Sequence, residues 1–256
     1  MFIILLRRKQ IIGMQVVYED NHIIIVNKRS GEIVQGDKTG DTPLSETVKQ
    51  YIKEKYQKPG EVFLGVVHRL DRPVSGLVVF ARTSKALARL NKMFAEGEVH
   101  KTYWAIVGKL RNGENEKLRN DAAAYSVDVD VNTQHSKLLT HWLVRNEKQN
   151  KSYAYDHEVP HSKRAVLKYR VIGHSDRYSL LEVQLMTGRH HQIRCQLAKA
   201  GMPIKGDLKY GAPRSNPDGS ISLMARKVEF VHPVSKLPIS VEAPLPENQL
   251  WQAFHQ

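Results

Sequence analysis

The chain has 256 residues, 41% of them apolar and 25% charged, enough to bury a core and ordinary for a globular protein. Lys and Arg outnumber Asp and Glu by 39 to 26, a surplus of +13 that makes RNA, DNA or an anionic surface the leading partners; the bland alternative is a surplus that serves only solubility. Cys195 is the only cysteine, which excludes an intramolecular disulfide and a four-cysteine zinc site and favours a reducing compartment, here expected to be the cytoplasm. No apolar run approaches the roughly 18 residues of a membrane span. The opening MFIILLRRKQIIG puts its apolar run before Arg7, Arg8 and Lys9, the reverse of a secretory signal. Residues 1–13 are therefore expected to be a dispensable, poorly ordered extension, and residues 14–256 a single domain.

In chain order, Val16–Tyr18 and Ile23–Val26 are β-rich runs joined by Glu19-Asp20-Asn21-His22, which predicts a hairpin. Thr42 is placed to cap a helix with Pro43 at its first position, and Leu44, Val48, Tyr51 and Ile52 give that helix one apolar face. Val66-Val67 and Leu77–Phe80 read as strands. Thr83-Ser84 caps a second helix carrying Ala86, Leu87, Leu90 and Phe94 and ending near Gly97. Tyr103 to Val107 alternates like a strand, and Ala165–Ile172 and Leu180–Leu185 are again strand-like. Residues 111–120 and 145–164 are polar and read as surface loops or hairpin tips. A last helix is predicted from about Arg189 to Ala200, closed by Gly201. Strands and helices mix without a βαβ rhythm. The fold class expected is α+β, with a mixed, mostly antiparallel sheet flanked by helices.

Three polar clusters interrupt the core pattern. The first is His68-Arg69-Leu70-Asp71-Arg72, with Pro73 and Gly76, between two buried-looking strands. Nearby positive charge favours a carboxylate's charged form, and a loop between strands can present it into a cleft; the competing reading is a surface ion-pair cluster. The second, Thr187-Gly188-Arg189-His190-His191-Gln192-Ile193-Arg194, lies where a strand gives way to a helix, a place suited to anions. Adjacent histidines do not share a helix face, so they make no joint metal site. The third, Lys101-Thr102-Tyr103-Trp104, puts a tyrosine beside a basic residue, able to stack on a nucleobase or simply to pack in the sheet. His157-Glu158-Val159-Pro160-His161 matches the HExxH pattern of zinc peptidases, but Pro160 inside the required helix would cost about 3 kcal/mol. No metal is expected there.

Taken together, these blocks resemble the RluA-type pseudouridine synthases. The resemblance runs from Met14 to about Pro246. Its most specific part is GVVHRLDRPVSGLVVFARTSKA at 65–86, followed by KTYWAIVGKL at 101–110, LEVQLMTGRHHQIRCQLAKAGMPIKGDLKYG at 181–211 and SLMARKVEFVHP at 222–233. Carried over by position, the resemblance implies Asp71 as the catalytic aspartate, Tyr103 packed against a flipped uracil and Arg194 paired with Asp71. It implies Arg69 as the residue that helps displace the target nucleotide, with His68, Arg189, His191, Gln192 and Leu223 on the RNA-binding side. It also implies structured ribosomal or transfer RNA as partner, and neither cofactor nor metal; a monomer without membrane attachment is expected. Gln196 and Met224 stand where the family usually has histidine, which puts local packing in question. The family's small S4 RNA-binding domain is not recognisable at the N-terminus. Two other classes remain open on the residues: a non-catalytic RNA-binding protein, and a zinc hydrolase using His157 and His161.

Overall fold

The computed structural model describes residues 14–109 and 136–254. The predicted extension at 1–13 and the loop at 111–120 lie outside the described residues. In chain order the strands and helices are β1 (Gln15–Glu19), β2 (Ile23–Lys28), α1 (Leu44–Lys55), β3 (Gly65–Val66), β4 (Ser75–Ala81), α2 (Ser84–Glu96), β5 (His100–Gly108) and β6 (Lys137–Asn146). They continue with β7 (Lys151–Tyr155), β8 (Lys163–His174), β9 (Tyr178–Leu185), α3 (Gln192–Lys199), a 3-10 turn at Leu208–Tyr210, β10 (Leu223–Val231), β11 (Pro238–Glu242) and the short α4 (Gln249–Gln252).

The chain packs as two compact units. The first holds Met1–Lys101 and Met224–Pro244, the second Thr102–Leu223 and Leu245–Gln256. In the first, strands run in the order β1-β2-β4-β10, with β11 on β10 and β3 on the far end of β4. The β1–β2 hairpin is as predicted, turned by Asp20, whose carboxylate accepts from His22 and Ile23 N–H. β2 and β4 are apolar almost throughout because sheet neighbours flank them, and Ile23 to Val26 and Val78 to Ala81 are fully buried. β4 joins β10 in a parallel pairing, through Ser75 with Met224 and Gly76 with Ala225.

α2 forms as the sequence predicts: Thr83 accepts from Ala86 N–H, and Gly97 closes the helix with φ 77°. α1 differs in its cap. Pro43 occupies the capping position and Thr42 makes no side-chain cap; instead the Leu44 and Ser45 amides donate to the Ile33 and Val34 carbonyls. Tertiary backbone acceptors have replaced the local side chain.

The second unit is antiparallel in the order β5-β9-β8-β6-β7. α3 covers one face, burying Ile193, Cys195 and Leu197. Two expectations are corrected here. Segment 145–164 is not all loop: it contains β7, paired with β6, and only its turns at 147–150 and 156–162 are irregular. β7 forms because Ser152 and Ala154 face inward, Ser152 N–H donating to the Tyr210 hydroxyl. α3 begins at Gln192, not at Arg189: Gln192 Oε1 accepts from Arg189 N–H and from the Thr187 hydroxyl, folding 187–191 into a tight turn ahead of the helix.

Candidate active site

Asp71 lies half-buried in the loop between β3 and β4, in the first unit. The loop is tightly held. Val74 N–H donates to the Asp71 carbonyl, Gly31 N–H to the Arg72 carbonyl, and the Ser30 hydroxyl to the Pro73 carbonyl. Beneath it Lys28, only 1% exposed, donates from Nζ to the carbonyls of Val74 (2.6 Å), Arg29 (2.9 Å) and Arg72 (3.1 Å). Three acceptors match the three donors of an ammonium. Burial lowers the Lys28 pKa to about 8, while the charges of Glu32 and Asp71 act in the opposite direction. Sequence reading missed this residue. Its only signal was a lysine closing an otherwise buried IIIVN run.

The neighbouring side chains divide by exposure. Arg69 is exposed. His68 is engaged inside: its Nε2 accepts from Val79 N–H at 2.9 Å and its ring stacks on Phe94 at 4.8 Å. Lost hydration, and then the Lys101 charge, lower its pKa to about 3, so the ring is neutral. Arg72 is engaged with Asp41 at 2.6 Å and the Thr39 hydroxyl at 2.8 Å.

Tyr103 and Arg194 belong to the second unit. Tyr103, on β5, is 7% exposed and sits opposite Val183. Arg194 projects from α3 into a buried bidentate pair with Asp207: Nε to Oδ2 at 2.7 Å and Nη2 to Oδ1 at 2.8 Å. The Tyr210 ring lies 5.0 Å from the guanidinium carbon. Tyr210 in turn joins its hydroxyl to His191 Nδ1 at 2.9 Å. His191 is buried beside other cations, and desolvation first, then Arg194, lower its pKa to about 2. Gln192 is also buried, donating to the Val166 carbonyl, whereas Arg189 is exposed. Leu223 is buried at the start of β10. Asp207 and Tyr210, absent from the predicted site, thus fix the arginine in it. Gln196 ties α3 to the sheet, its Nε2 lying within hydrogen-bonding distance of the Leu139 and Ala165 carbonyls and His141 Nδ1. The HExxH segment is irregular backbone, as Pro160 predicts, and among the described residues no cluster of His, Cys, Asp or Glu is arranged to hold a metal.

A family model described as RNA pseudouridylate synthase matches residues 22–199. The chain belongs to that family. Curated relatives agree: it is 32% identical to an uncharacterized RNA pseudouridine synthase of Bacillus subtilis (strain 168), over 92% of this chain and 70% of the relative. It is 30% identical to a protein named ribosomal large subunit pseudouridine synthase D of Xanthomonas campestris pv. campestris, over 93% and 68%. Among solved structures, human RNA pseudouridylate synthase domain containing 4 has the same fold, with a TM-score of 0.66 at 20% identity, covering 91% of this chain and 88% of that one. The family makes the chain an RNA pseudouridine synthase, an isomerase acting on RNA. No helix among the described residues is long and apolar enough to cross a membrane.

The electrostatic link between Lys28 and Asp71 has a measurable consequence. Nitrogen NMR of the Lys28 ammonium should give a midpoint near pH 8, and Asp71→Asn should lower it further by removing a charge that favours the ammonium. Between about pH 8 and the ordinary 10.5, the unfolded chain keeps a proton that the folded chain has lost. This group's contribution to stability therefore rises with pH across that window. An unchanged midpoint in the asparagine variant would break the link.

Proposed function

We propose that the enzyme converts specific uridines of structured ribosomal or transfer RNA to pseudouridine, with Asp71 as the catalytic carboxylate. The observation that carries this reading is the Asp71 loop itself. A half-buried carboxylate is presented by a turn whose carbonyls are held from below by a buried ammonium, a preorganised arrangement with no evident value to a passive binding surface. The names of relatives as ribosomal large subunit synthases favour ribosomal RNA as the substrate.

In the reaction the C1′–N1 bond breaks, the uracil turns, and C1′ bonds to C5; C5 loses a proton and N1 gains one. The change is an isomerisation with no redox step and no phosphate spent, so the reading requires neither cofactor nor metal. In this reading residues 14–256 act as one catalytic domain and as a monomer. Arg194 pairs with Asp71, Tyr103 packs against the uracil, and Arg69 helps to displace the nucleotide from its stack. Arg189 contacts phosphate, while His68, His191, Gln192 and Leu223 shape the RNA-binding side from within. Unstacking costs a few kcal/mol, which contacts from the basic surface to phosphates offset. The lone thiol, Cys195, is buried and its pKa pushed up to about 12, which suits a reducing compartment such as the cytoplasm.

The test uses ribosomal RNA transcripts tritiated at uracil C5. The native enzyme should release tritium, and Asp71→Asn should reduce release by at least about a thousandfold, the scale for loss of an essential catalytic group. Full release by the variant would end the mechanism. Single-nucleotide pseudouridine mapping in cells with and without the gene would identify the uridine; a site in neither ribosomal nor transfer RNA would overturn the substrate class.

A further inference from the structure

In the second unit the β7-β6-β8 part of the sheet face opposite Tyr103 carries aromatic and basic side chains, with Val166 buried among them and Ile106 and Leu180 buried further along the face. Register fixes its members. Tyr155 lies opposite Trp142, and Trp142 opposite Arg164, so a tyrosine, a tryptophan and a guanidinium form one row across β7, β6 and β8. Tyr153 follows on the same side of β7 by alternation, and Lys168 on the same side of β8, while the Lys151 ammonium turns toward the Tyr210 ring at 5.3 Å. Tyr103 pairs with Val183 and Val183 with Tyr169, an odd-numbered β8 residue, whereas Arg164 and Lys168 are even-numbered. The two faces are therefore distinct.

Tyr153 is 38% exposed and Tyr155 39% exposed, on a strand that among the described strands pairs only with β6. A long exposed aromatic edge is a hazard for a protein that has no use for it. Charge on this face is one-sided. Arg164 and Lys168 carry positive charge, while the acid on this face, Glu182, is taken up by Arg170 at 2.7 Å. Neighbouring strands stand about 4.8 Å apart and alternate residues of a strand somewhat further, a spacing over which successive unstacked bases can each find a ring. Aromatic rings give a π surface to any base, and flanking cations meet the phosphates.

We infer that the outer face of β7-β6-β8 is a second RNA contact, an aromatic and basic platform for an unpaired stretch of the substrate RNA. This deepens the reading of the enzyme as acting on structured RNA and rests on it. Because the platform faces away from Tyr103, the RNA has to pass around the β7 edge to use both. It would favour substrates with a single-stranded segment beside the target uridine.

The experiment measures binding of a short fluorescein-labelled oligouridylate, and turnover of C5-tritiated ribosomal transcripts, by the full chain. Combined Tyr153→Ala and Tyr155→Ala should weaken oligouridylate binding roughly ten- to a hundredfold, the range for loss of base stacking. The same variant should raise KM with kcat unchanged, whereas Tyr153→Phe with Tyr155→Phe should bind as the native protein does. Arg164→Gln with Lys168→Gln should flatten the dependence of log affinity on log salt by about 1.4, two phosphates on a single strand. Unchanged affinity in the alanine variant would overturn the platform. So would a fall in melting temperature with native affinity, which would make the face ordinary packing, or a fall in kcat alone. These outcomes are independent of Asp71: tritium release by Asp71→Asn would sink the mechanism and leave the binding result standing.

Discussion

Gly76→Ala should yield a protein that is badly destabilised and, where it folds, inactive. Gly76 has φ +112°, a conformation that L side chains rarely adopt. A Cβ there would stand 2.5 Å from Ala225 N and 2.8 Å from Ala225 C, and would also collide with Ala225 O. All three are backbone atoms of the strand that pairs in parallel with Gly76, so no side chain can swing aside. Strain of about 1–3 kcal/mol and overpacking of similar size add to about 2–6 kcal/mol. For units of this size that corresponds to a fall in melting temperature of roughly 10 °C or more, read by calorimetry. Activity should fall further than stability, because Gly76 closes the short connection that carries Asp71. A variant with native melting temperature and native tritium release would show that β10 can retreat from β4, against the close-packed geometry described here.

Breaking the Arg194–Asp207 pair should have the second large effect. Both side chains are buried, at 5% and 1% exposure, and the carboxylate takes two donors of the guanidinium. Removing one partner of such a buried pair costs about 3–5 kcal/mol, because the buried charge loses a bidentate partner. Asp207→Ala should therefore lower the melting temperature by roughly 10 °C. Arg194→Met together with Asp207→Ala should restore much of that stability without restoring activity, since two neutral groups are easier to bury than one charge. Asp207→Asn keeps the shape and one acceptor. It should fold, with a kcat loss and little change in KM, as expected if Asp207 orients Arg194 and touches no RNA. If the double variant is less stable than Asp207→Ala, the charge-compensation account fails.

What could be read from the sequence was local. Thr83 and Gly97 bracket α2 with a cap and a left-handed stop, and the structure has both. The Ile23–Val26 run needed only its turn residues to give a hairpin. The candidate loop at 68–76 stood out because charged residues interrupt two apolar strands. Long-range pairing was hidden. Lys28 finds carbonyls at residues 72 and 74, and Asp207 finds an arginine thirteen residues earlier; neither leaves a periodic trace. α3 starts late because the Gln192 side chain satisfies the Arg189 amide, a competition between side chain and helix that residue preferences do not resolve. β7 was passed over because KSYAY is short and lies within a polar stretch, and its strand depends on Ser152 and Ala154 meeting the α3 side of the sheet. β10 and β11 were visible only as a motif, with no strand assigned to them.

The parallel strand pair also sets a timetable. Residue 75 must wait for residue 224, about 150 residues of synthesis later, before the turn bearing Asp71 gains its second flank. Until then that side of β4 offers unpaired amides and carbonyls at Ser75 and Gly76, the kind of edge that attracts chaperones or other nascent chains. A product cut short ahead of β10 retains every residue of the HRLD block yet lacks the strand that shapes it. Competence for catalysis is thereby tied to the synthesis of β10.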